Sequence, residues 1–374
     1  MNDGLIDESR IKTINSQQPN NKILLLTGIR FPLFLLILAT HVKYIIKISP
    51  IGQHLYSYFN QGCFAVMFFF LLSGFCIAQG YASKFIKFSI EDYKSFIIKR
   101  FVKLYPLYLI TGIIMFLFFY LPHNWHWIIA FLFLYIPMLS PFTIYPDGGG
   151  NGAGWFLAAL FFCYAFTPPL LFLFSKINSL KNYIKMIASC FIIILLFVIL
   201  QINLPNKLAI SAYIYKLPII RLFHFSIGLL LGIIYKKYLC NLFKKIYFSK
   251  VINIITDLIV ISMTCLYMLN FKHGNISNQV IGIPLILFII LYLTISNNGL
   301  LKYILNTKTN IYLSNISFEC YLIHYVLFLF TKDYLQNYSY TYLGIFYIYT
   351  FLLITTIICS ILYRQAYKFI STAK

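Results

Sequence analysis

The chain has 374 residues, 60% of them hydrophobic and only 10% charged, far below the quarter usual for globular domains, which excludes a soluble enzyme. A net charge of +21 invites a nucleic-acid partner. Most of the basic residues, however, fall in short loops between apolar runs, where they orient a membrane protein, so membrane lipid replaces nucleic acid as the expected partner. The eight cysteines are scattered with no CxxC pair and support neither a metal site nor a disulfide framework.

Residues 1–22 are polar and read as a short cytoplasmic tail with no cleavable signal. Apolar runs follow near 23–46, 63–80, 101–121, 155–174, 187–203, 218–235, 252–270, 279–296, 311–331 and 343–363, and such runs cross a membrane as helices. The shorter stretch 127–139 spans only about 20 Å as helix and is expected to dip into the membrane or lie at its interface. With it demoted, 22 basic residues fall on the inside and seven outside: Lys43, Lys47, Lys207, Lys216, Arg221, Lys272 and Lys332. That bias satisfies the positive-inside rule. The expected fold is therefore all-α, a polytopic membrane protein of about ten transmembrane helices with both termini cytoplasmic. Residues 23–363 form one transmembrane domain, and 364–374 form a short basic cytoplasmic tail.

Arg30 and His41 lie inside the first run, and titratable groups within a span mark function by default. Eleven positions advance a helix by three turns plus about 20°, so the two side chains share a face about 16 Å apart along the axis. Arg30 falls toward the inner half and His41 in the outer half. Ordinary readings also stand: Arg30 snorkelling to the cytoplasmic surface, and His41 bonded to a carbonyl at the interface. At the mouth of the third helix, Lys99, Arg100 and Lys103 form a compact cationic edge. It suits phosphates, and it also suits anchoring to lipid head groups.

The segment 121–154 is the longest outer region and ends in DGGGNGAG at 147–154. Its glycines permit positive φ and close backbone approach, which fits a loop covering an acceptor site or a plain surface loop. Further on, the sixth helix begins with Arg221 and His224 on the outside. On the ninth, Ser317, Tyr321 and His324 are spaced 0, 4 and 7 and line one face. Glu319 lies about 140° around from His324 and is not expected to orient it. His41, His324 and Arg221 are thus expected to meet in the outer leaflet.

Several stretches, in order, resemble the acyltransferase 3 family of integral membrane proteins, which transfer acyl groups to surface glycans and related acceptors. Arg30 and His41 match its Arg-x10-His signature, and VMFFFLLSGF at 66–75 resembles its FFxLSGF helix. KRFVKLYP at 99–106, GWFLAALFFCYAFTPPL at 154–170, RLFHFSIGLLLG at 221–232 and ISFECYLIH at 316–324 resemble its later motifs. Thr27 departs from the aspartate many members carry there, and Leu160 and Phe161 replace acidic residues found in some, so the acceptor class does not carry over.

The resemblance implies transfer of an acyl group, most simply acetyl, from cytoplasmic acyl-CoA to a hydroxyl of an outward-facing surface glycan or lipid-linked saccharide. The setting is the bacterial cytoplasmic membrane, and acetyl-CoA is a donor substrate with no permanently bound cofactor. His41, Arg30 and His324 are the expected catalytic residues, and Lys99, Arg100 and Lys103 the donor site. Tyr321, Ser317, Arg221 and Trp155 are expected to bind acceptor. His41, with an unperturbed pKa of about 6.5, serves either as general base or as an acyl carrier. The competing reading is a transporter or exporter of a lipid-linked glycan, which would consume no acyl-CoA; the inverted repeats that favour it are not evident.

Overall fold

The computed structural model describes residues 21–47, 49–56, 58–203, 213–245, 249–270, 278–296, 298–335 and 340–372. Residues 1–20, Lys207 and Lys272 lie outside them. Among the described residues every regular element is a helix. In chain order the principal ones are α1 (Leu24–Ile46), α2 (Gly62–Tyr81), α3 (Ile90–Tyr120), the short α4 (His126–Tyr135), α5 (Gly154–Ser175) and α6 (Leu180–Asn203). There follow α7 (Pro218–Phe243), α8 (Lys250–Asn270), α9 (Val280–Ile295), α10 (Lys308–Asn315), α11 (Ser317–Leu335) and α12 (Tyr342–Ile370).

Among the described residues eight of these are long and apolar enough to cross a membrane, or nine if α10 and α11, bent by 64°, count as one span. The expected run at 279–296 forms only the shorter α9, which carries Pro284 within it. The stretch expected to dip or lie flat forms α4, also short. At the far end α12 runs on through Arg364 and Lys368, residues expected in a tail.

α7 and α2 are the most buried helices, whereas α6 and α8 turn apolar residues such as Leu196 and Leu266 outward. The α2–α7 contact is backbone to backbone. A Cβ on Gly74 would fall 2.2 Å from the Phe225 carbonyl oxygen, and one on Gly228 would fall 2.1 Å from that of Leu71. Small residues allow such approach between membrane helices, where no water-driven collapse holds them together.

Pro32 fixes α1 to its neighbour. Proline has no N–H to return to the carbonyl four residues back, so the Gly28 carbonyl is left over. Asn310 Nδ2 (2.9 Å) and Ser314 Oγ (3.0 Å) donate to it instead, and the Phe31 N–H donates to Ser314 Oγ at 3.2 Å. This joint sits one residue from Arg30.

α4 is fastened to α3 by two tyrosines. Tyr108 and Tyr135 stack at 4.3 Å, and each hydroxyl donates to the other's carbonyl at 2.8 and 2.9 Å. The glycine-rich loop that follows turns at Gly148 and Gly149, with φ of 55° and 74°. Asn151 Nδ2 then donates to the Leu322 carbonyl of α11 (2.9 Å), while its Oδ1 accepts from the Ala153 N–H. Residues 148–160 are all buried. The segment is wedged among the helices, not lying on the surface.

Candidate active site

Two cavities open along α1, one beside Arg30 and one beside His41. The first is about 280 Å³ and is lined by Arg30, Arg100, Lys103, Glu319 and Arg364, with Ser317 and Tyr321. Arg100 is caged by aromatic faces, its guanidinium 5.2 to 5.5 Å from the rings of Phe96, Tyr81 and Tyr164. Its Nε has no hydrogen-bond partner. Arg364 reaches in from α12 and lies 3.9 Å from Glu319. Four cations against one carboxylate give this wall an excess of positive charge, and guanidinium forks suit phosphate.

The second cavity is about 440 Å³. His41 stands in its wall with its ring against those of His324 (5.1 Å), Tyr325 (5.0 Å) and Phe328 (5.4 Å). The lining also includes Trp155 and Tyr215, whose rings are 5.2 Å apart. Lys43, Lys216 and Lys332 add three ammonium groups, and Lys216 pairs at 3.0 Å with Asp147 from the glycine-rich loop.

Tyr321 lines both cavities. Its hydroxyl donates to the Ala153 carbonyl at 2.9 Å, and its ring packs on Phe156 at 5.0 Å. One phenol on α11, tied to the start of α5, is therefore common to a cavity with a cationic wall and a cavity holding an imidazole. Among the described residues no cluster of His, Cys, Asp and Glu suits a metal ion.

Residues 23–364 match a family model, that of acyltransferase 3, described as an acyltransferase domain. The chain belongs to the acyltransferase 3 family. No curated protein and no solved structure matches it.

Within this acyltransferase, the structure puts Arg30, Arg100, Lys103 and Ser317 in the first cavity, His41 and Trp155 in the second, and Tyr321 in both. Other sequence expectations need correction. Lys99 is exposed and lines neither cavity, because α3 begins at Ile90 and its neighbour Arg100, ten residues in, takes the inward direction. Ser317 does not stand with His324: its hydroxyl donates to the Ser314 carbonyl at 2.8 Å at the Arg30 end. Two turns of helix carry the face from one cavity to the other.

His324 is fully buried behind His41, against Phe34 and Tyr321. Its Nδ1 lies 3.2 Å from the Cys320 carbonyl. A carbonyl only accepts, so Nδ1 carries the proton and Nε2 presents a lone pair, for which the structure supplies no partner. It supports the His41 ring and is not part of the cavity wall. Arg221 is also fully buried, lining neither cavity: its Nε donates to the Tyr215 carbonyl at 2.8 Å and its guanidinium covers the Tyr215 ring at 4.4 Å. It braces a wall residue. The expected meeting of two histidines and an arginine is thus a meeting of two histidines, with the arginine packed behind Tyr215.

Sequence reasoning missed Arg364, Glu319, Lys43, Asp147, Tyr215, Lys216, Tyr325 and Lys332. Arg364 had a signal, since YRQAYKF at 363–369 holds no helix breaker. The lysines had one as well, being basic residues on the face where basic residues are scarce.

Proposed function

We propose that the protein takes an acyl group, most simply acetyl, from cytoplasmic acyl-CoA and passes it to a hydroxyl of an outward-facing surface glycan or lipid-linked saccharide. The reading places ten spans in a bacterial cytoplasmic membrane, with both termini inside, the Arg30 cavity toward the cytosol and the His41 cavity toward the exterior. The observation that carries it is the pair of cavities on one helix, cationic at one end, bearing a histidine at the other, and meeting at Tyr321.

In this scheme Arg30, Arg100 and Lys103 hold the phosphates of the donor, and its uncharged arm brings the thioester to the Tyr321 wall. His41 takes the proton of the acceptor hydroxyl. The oxygen attacks the thioester carbonyl, the carbon–sulfur bond breaks, and the coenzyme leaves as the thiol once it takes up a proton. Only the acyl group changes sides. The buried histidine behind His41 and the ring clamp around it hold the imidazole in place, as general-base geometry requires.

The test is transfer of radiolabelled acetyl from acetyl-CoA to surface glycan in membranes with and without the protein, alongside the His41→Ala variant. Label should appear in glycan only with the unaltered protein. Equal labelling without the protein would end the proposal. Uptake of a lipid-linked glycan with no donor consumed would favour transport.

A further inference from the structure

Basic residues are concentrated on one side of this chain, and only seven are expected on the other. Three of these seven, Lys43, Lys216 and Lys332, line the single His41 cavity. Of the rest, Lys47 is exposed, Arg221 backs Tyr215, and Lys207 and Lys272 lie outside the described residues. Topology does not call for this grouping, because positive charge on the outer face works against the bias that orients the protein.

The lysines are also unevenly neutralised. Lys216 has Asp147 at 3.0 Å, and among the described residues Asp147 is the one acidic side chain in this wall. Among the described residues Lys43 is met by neutral groups: its Nζ donates to Asn60 Oδ1 and sits 4.8 and 4.7 Å over the rings of Tyr44 and Tyr56. That amide and those rings fix the ammonium in position within a residue that is 3% exposed. A cation fixed this way at a cavity wall, with two more beside it and one carboxylate among them, leaves the cavity with net positive charge. Burial makes the attraction for an anion stronger than at an open surface.

We propose that the acceptor is an anionic saccharide, its carboxylate or phosphate bound by Lys43 and Lys332 while the ring lies on the aromatic wall of Trp155 and Tyr215. This rests on the acyl-transfer reading, in which the same cavity receives the acceptor. It adds what that reading lacks, the chemical class of the acceptor. The cavity, about 440 Å³, falls in the range of small-ligand sites, roughly 300–1,000 Å³.

The test is a binding titration on the full-length protein in nanodiscs of neutral lipid. Replacing Trp125 and Trp127 by phenylalanine leaves Trp155 as the sole tryptophan, so its fluorescence reports the cavity. Trigalacturonate should bind at least about tenfold more tightly than neutral maltotriose, as charge complementarity in a desolvated site predicts. That preference should vanish in Lys43→Gln/Lys332→Gln and survive in Lys43→Arg/Lys332→Arg. Should the double glutamine variant fail to fold, Lys332→Gln alone must still reduce the preference. Undecaprenyl phosphate in the disc separates the two anion sources: displacement of trigalacturonate points to a lipid-linked phosphate, and its absence to a carboxylate on the sugar. Equal affinity for the charged and neutral sugars, a preference untouched by the glutamine variants, or no binding of either anion at millimolar concentration overturns the proposal. The readout needs no acyl-CoA, so preserved anion binding in a protein that transfers no acetyl would sink only the catalytic reading.

Discussion

His41 is held by rings. His324, Tyr325 and Phe328 surround it, and among the described residues neither of its nitrogens is hydrogen-bonded, which leaves both for chemistry. His41→Ala should lower acyl transfer by roughly 10²–10⁴-fold, the range for a lost general base, with insertion and thermal stability preserved. Near-normal acetylation by that variant would remove His41 from the reaction. His324→Phe keeps the packing and deletes Nε2. It should lower kcat while KM for the donor stays unchanged, since the lost group lies behind the cavity and away from the phosphates; a shift confined to KM would contradict this. Arg100→Ala with Lys103→Ala should raise KM for acetyl-CoA more than it lowers kcat, the sign of lost ground-state binding. An unmoved KM would return these residues to lipid anchoring. Arg30 and His41 were legible in the sequence because a charge and an imidazole stand out in an apolar run. The depth of His324 was not. Periodicity assigns it a face, and only packing decides that His41 stands in front.

At the scale of the helix, α1 depends on its partners more than on its own hydrogen bonds. Pro32 leaves the Gly28 carbonyl to Asn310 and Ser314, so Arg30 is positioned by a joint with α10. The α2–α7 crossing has no room for a side chain, and Gly228→Val would drive Cβ into the Leu71 carbonyl. A loss of roughly 1–3 kcal/mol, the usual range for overpacking, should appear as a lowered melting temperature in detergent. An unshifted midpoint would mean the helices separate freely. The apolar runs were readable because bilayer thickness imposes a length on them. The end of α12 was not, since hydropathy measures membrane depth and α12 continues past it, carrying Arg364 into the Arg30 cavity. The 64° bend between α10 and α11 was equally hidden.

For the molecule as a whole, the buried pair α2 and α7 forms the interior, and α6 and α8 present apolar surface outward. The glycine-rich segment lines the His41 cavity with Asp147, Gly152 and Ala153, and Asn151 bonds it to α11. Its composition allowed either a cover or a surface loop, and only the contacts of Asn151 and Tyr135 distinguish them. Tyr321, pinned to Ala153, stands in the wall common to the two cavities. Tyr321→Ala should join them, and proteoliposomes holding that variant should leak iodide to an entrapped quenched dye while the unaltered protein stays tight. Equal leak rates would show that other groups form the barrier. A bilayer is also a capacitor, and a continuous row of arginines and lysines through it would short-circuit the plates by conducting halide. On the proposed reading, the Tyr321 ring common to the two cavities keeps that row from joining, so that acyl transfer would cost the membrane none of its voltage.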